Sequence, residues 1–136
     1  NLMKTKLFTI CLLLVTSQAF AETKSIQKLK NPDPIYVLER CAANSFKVFN
    51  VFREKQNKDN EEMEFQEIMK KRFNFFVDTL KNYHQHHDKF LSEEEITKKT
   101  LDRISELVVI ISKEQEKPDF FEDTAFCKTL VKYNKN

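Results

Sequence analysis

Apolar and small residues return every three or four positions along most of the chain, the spacing that lines one face of an α-helix. Leu38, Cys41, Ala42, Ser45, Val48, Phe49 and Phe52 form the first such stripe. It begins after Asn31-Pro32-Asp33-Pro34, where Asp33 can cap a helix and Pro34 suits its first position. Beyond a polar break at 56–60, a second stripe runs through Phe65, Met69, Phe73, Phe76, Val77, Leu80 and Tyr83 or His84. It predicts a helix from about 61 to 89. Ile68 and Phe75 lie off that stripe, seven residues apart, as a second packed face or an exposed apolar strip.

Ser92-Glu93-Glu94-Glu95 is a capping box, in which the Ser92 hydroxyl and the Glu95 carboxylate satisfy each other's open N–H groups. The third helix follows to about 116, with Ile96, Thr100, Leu101, Ile104, Leu107, Val108 and Ile111 inward. Its five-residue apolar run, Leu107 to Ile111, also suits a strand, but helical spacing on both sides decides for helix. Pro118-Asp119 opens a fourth helix, roughly 119–134, with Phe120, Thr124, Cys127, Leu130 and Val131 on one face. Four amphipathic helices with short links predict an all-α, up-down four-helix bundle over residues 34–136. Residues 22–33 are polar and without period and read as a flexible leader.

Composition narrows the chemistry. None of the 136 residues is glycine. That removes the P-loop, the dinucleotide fingerprint, the nucleophile elbow and the EF-hand loop, all of which need glycine where backbone turns sharply or approaches a ligand. It also disfavours tight β-hairpins. An AT-rich coding sequence, suggested by 19 Lys against 4 Arg, thins glycine as well.

The start of the chain reads as an address. Met3-Lys4-Thr5-Lys6 is a basic opening with Met3 as the expected start, Leu7 to Thr16 is an apolar core, and Ala19-Phe20-Ala21 is a small-x-small cleavage site. Residues 1–21 are therefore expected to be a cleaved signal peptide, and Cys11 leaves with it. Lys4 and Lys6 leave too, so the formal +2 of the whole chain becomes 0. A neutral mature chain offers no electrostatic reason for nucleic acid or an anionic membrane as partner. The expected location is periplasmic or secreted.

Cys41 and Cys127 remain. Two cysteines in an exported chain, one near each end, most simply form a disulfide. In an up-down bundle both fall about 10 Å in from the same end, counting from Pro34 and from Asn134. The disulfide and the topology thus agree.

Candidate sites are few. His84, His87 and Asp88 share a helix face and can offer two imidazoles and a carboxylate to Zn²⁺ or Cu²⁺. The plainer reading is a helix C-terminus that favours positive charge. Ser45 and the histidines fall on different helices, no paired-carboxylate site is indicated, and no cofactor is implied. Of the 13 phenylalanines, 11 lie beyond residue 21. They line a core or, less commonly, an apolar ligand cavity. The expectation is a non-enzymatic protein that binds a protein partner of unknown identity, with Ile68 and Phe75 as contact surface and Val51, Val109 and Phe121 also off the main faces.

Tyr36-Val37-Leu38-Glu39-Arg40-Cys41-Ala42-Ala43, paired with Asp123-x-x-x-Cys127-x-x-Leu130, resembles small exported helical proteins of marine bacteria that carry an early Arg-Cys and a late cysteine. The resemblance implies export and the helical fold, and no activity. In size and plan the chain is also similar to the periplasmic acid-stress chaperones of the HdeA type.

The signal-peptide reading makes one direct prediction. N-terminal sequencing of the protein purified from its natural compartment should begin at Glu22; a start within residues 1–21 would refute it.

Overall fold

The structure is a computed structural model that describes residues 25–113 and 118–133. It contains a short 3-10 turn, Ile26–Lys28, and four helices: α1 (Pro34–Glu54), α2 (Asn60–His87), α3 (Glu93–Ser112) and α4 (Pro118–Tyr133). The all-α four-helix expectation holds. Residues 1–21, read as a signal peptide, lie outside the described residues.

Each helix begins where its sequence can close the open N–H groups. Asp33 accepts from the Ile35 N–H at 2.9 Å, and Pro34 takes the first helical position. Ser92 and Glu95 form the expected capping box. A second box, Asp59 with Glu62, opens α2 and was not foreseen. Two sharp turns require a left-handed backbone, and asparagine supplies it at both: Asn31 (φ 50°) and Asn57 (φ 57°). Asparagine tolerates that region because its short amide can bond locally, and so replaces the missing glycine.

The packing is organised around α1. It contacts the other three helices, whereas among the described residues α3 and α4 barely meet. Cys41, Ala42 and Ala43 are fully buried, and Asn44, Ser45 and Val48 nearly so. Small side chains at consecutive positions let helices close in on several sides of α1. Phenylalanines seal the α1–α2 contact in pairs: Phe46 with Phe73 at 5.4 Å and Phe52 with Phe65 at 5.0 Å. Numbers rise along one helix as they fall along the other, so the two are antiparallel. Lys55 and Glu62 form an ion pair beside the turn between them.

α1 and α4 are antiparallel too, and chemistry sets their register. Cys41 and Cys127 form a disulfide with Cα atoms 5.5 Å apart, closing 86 positions of chain. Such a loop constrains the unfolded state by about 4–5 kcal/mol in the chain-entropy account. Alongside it, Arg40 Nε donates to Asp123 Oδ2 at 2.6 Å, and both residues are 1% exposed. Arg40 Nη1 also donates to the Tyr36 hydroxyl at 3.2 Å. One step further along, Asn44 Nδ2 donates to the Phe120 carbonyl and the Thr124 hydroxyl. The two segments that carry the Arg-Cys and Asp-x-x-x-Cys pattern are therefore partners in space.

Two expectations need correction. The stretch 22–33 is expected to be a flexible leader, but Ser25, Ile26 and Leu29 pack. Ile26 is buried, the Ser25 hydroxyl donates to Asp123 Oδ1 at 3.0 Å, and the Ile26 N–H donates to the same oxygen at 3.2 Å. Lys28 pairs with Asp119 at 2.8 Å. The buried carboxylate demands donors, and this strand of chain delivers two. Leu101 was placed inward by spacing, yet is well exposed. Thr100, also placed inward and about 100° away round the helix, is buried.

Candidate functional site

The histidine cluster closes the end of α2. His84 is buried, with Nδ1 3.2 Å from Asp88 Oδ2. Asp88 also pairs with Lys99 of α3 at 3.0 Å. That lysine, ahead of His84, holds the Asp88 carboxyl below its ordinary range. His87 turns away: its Nδ1 donates to the Tyr83 carbonyl at 3.0 Å and its ring stacks on Tyr83 at 4.0 Å. The three sequence-predicted ligands are thus divided between two local contacts, and among the described residues no group of three His, Cys, Asp or Glu side chains is arranged to hold a metal. Ser45 is equally occupied, its hydroxyl donating to the Cys41 carbonyl at 2.8 Å.

A cleft of about 360 Å³ opens between the loop Leu29–Asp33, Tyr36 and Glu39 of α1, and Arg103 of α3. Burial pushes the Glu39 carboxyl up, and Arg103, at 3.5 Å, only partly counters this. Arg103 divides its charge with Glu106 at 3.3 Å.

The predicted apolar strip is split by the structure. Phe75 is half-buried, packs against the core and meets Phe76 edge-on at 5.4 Å. Ile68 stays open, at 39% exposure. The α1–α2 register places Val51, equally exposed, at the same height as Ile68. Val109 and Phe121 are each 62% exposed, as their off-stripe positions implied. Phe90 is fully exposed and was not singled out. It lies in the link between α2 and α3, where no helical stripe marks a residue as inward or outward.

One residue of the Ile68 ridge escaped sequence reading altogether. Arg72 lies four residues beyond Ile68 and is only 9% exposed. Among the described residues no hydrogen bond or ion pair reaches it, and burial lowers its proton affinity. Its guanidinium nitrogens are not among the sequestered unbonded atoms, so solvent still touches them. Four residues before Ile68 stands Glu64, exposed and likewise without a partner among the described residues. Steps of four follow one ridge of a helix. Glu64, Ile68 and Arg72 therefore line up as acid, apolar residue and base. Periodicity marks Arg72 as polar and leaves its burial to tertiary packing.

No family model, curated protein or solved structure matches the chain.

Glu39 yields a test. Its folded-state affinity for a proton is raised, so the charged form opposes folding, and stability falls as pH rises through the folded value. Glu39→Gln should therefore raise the midpoint of thermal unfolding at pH 7. The gain should vanish as pH falls below the ordinary value of 4.5. A substitution that destabilises at pH 7, or a gain that persists in acid, would show that the Arg103 contact outweighs burial.

Proposed function

We propose that this is an exported, non-enzymatic helical protein, periplasmic or secreted, that acts by engaging a protein partner through apolar positions left open on α1 and α2. The observation that carries the reading is the Ile68–Arg72 step. An open isoleucine lies one helical turn from an arginine that is only 9% exposed and has no counter-charge among the described residues. Uncompensated burial of charge is costly, and a surface contact that supplies the missing carboxylate would recover that cost.

Export is supported by the Cys41–Cys127 disulfide, since such bonds persist in oxidising compartments. None of the described helices is long and apolar enough to cross a membrane. A metal carrier built on His84, His87 and Asp88 has less support, because Asp88 already serves Lys99 and His84.

Photo-crosslinking in the natural compartment tests the contact surface. A photoreactive residue at position 68 or 51 should give discrete protein adducts, and one at the exposed Lys98 of α3 should not. Equal labelling at all three positions, or none at any, would overturn the reading.

A further inference from the structure

The Glu64–Ile68–Arg72 ridge reads acid, apolar, base in one direction and base, apolar, acid in the other. It is therefore its own complement. We infer that the partner seated on this ridge is a second copy of the same chain, with the two α2 helices crossing antiparallel about Ile68. This rests on the reading of Ile68 as contact surface and names what covers it.

The argument is geometric. In an antiparallel pair whose two-fold axis passes by Ile68, positions equally far from Ile68 face each other. Glu64 of one copy then faces Arg72 of the other, and the symmetry repeats the contact, giving two ion pairs on either side of an Ile68–Ile68 centre. Four residues of helix span about 6 Å, within the combined reach of a glutamate and an arginine side chain. A parallel pairing would set Arg72 against Arg72 and is disfavoured.

Arg72 also favours association energetically. Most of the Arg72 side chain is covered in the single chain while its guanidinium nitrogens keep contact with solvent, so a partner carboxylate can reach the charged end without displacing the packed stem. Glu64 is exposed and free to supply it. A single helix crossing is a small interface, so the dimer should be weak and should depend on protein concentration and on salt.

Sedimentation equilibrium of the oxidised full domain over a wide concentration range tests this. The expected result is a monomer–dimer equilibrium that weakens with added salt. Glu64→Arg alters only an exposed position and should weaken the dimer by at least about tenfold, as should Arg72→Glu, for loss of well over 1 kcal/mol of pairing. Mixed in equal amounts, these two variants should dimerise again, because each then offers the charge the other needs. Ile68→Cys needs no change at Arg72 and should give a dimer linked through position 68 on oxidation, whereas Met63→Cys, at a comparably exposed site, should not.

A chain that stays monomeric at every concentration overturns self-pairing. So does a dimer indifferent to Glu64→Arg, or one linked equally well through position 63. Adducts to a different protein at position 68 would, together with a monomeric chain, retain the contact surface and exclude the second copy.

Discussion

A guanidinium and a carboxylate taken out of water together decide where the first and last helices meet. Arg40 and Asp123 are each 1% exposed, and each offsets the cost of burying the other's charge. Asp123 gathers three donors: Arg40, the Ser25 hydroxyl and the Ile26 N–H. The neighbouring Cys41–Cys127 bond joins the same two helices beside the pair. A disulfide alone ties two points and leaves rotation open. A directional ion pair next to it sets which faces of α1 and α4 are apposed. The N-terminal turn is drawn in by the same carboxylate, so one buried anion organises three separate parts of the chain.

Much of this was legible in the order of residues. The helices follow from the three- and four-residue spacing, and the caps at Asp33 and Ser92 follow from local chemistry. The disulfide was deducible because topology and cysteine positions independently pointed to one end of the bundle. What was not legible depends on tertiary packing. The Ser25–Ile26 segment carries no periodic signal, since its place is set by a carboxylate almost a hundred residues away. Thr100 and Leu101 both fall on the predicted inward face of α3, and the packed helix buries Thr100 but leaves Leu101 exposed. Arg72 is the same case in reverse: a charged side chain that its surroundings cover without pairing.

The absence of glycine runs through both fold and function. The turns that need a left-handed backbone use asparagine at 31 and 57, and helical hairpins ask for little more. The backbone cradles used for phosphates and nucleotides are closed to such a chain. Its options for recognition lie in side chains on helix faces. The ridge of Glu64, Ile68 and Arg72 is one such face, positioned by the α1–α2 phenylalanine pairs and by a core that keeps α2 from turning.

The dependence of this architecture on the Arg40–Asp123 pair can be measured by a double-mutant cycle, with the disulfide intact throughout. Unfolding free energies would be compared for the native chain, Arg40→Met, Asp123→Leu and the double variant. Each single substitution removes the ion-pair partner of a buried charge and should cost about 3–5 kcal/mol, whereas the double variant, with neither charge left, should cost far less than the sum. Additive losses, or single losses below about 1 kcal/mol, would contradict the claim that this pair holds the first and last helices in register.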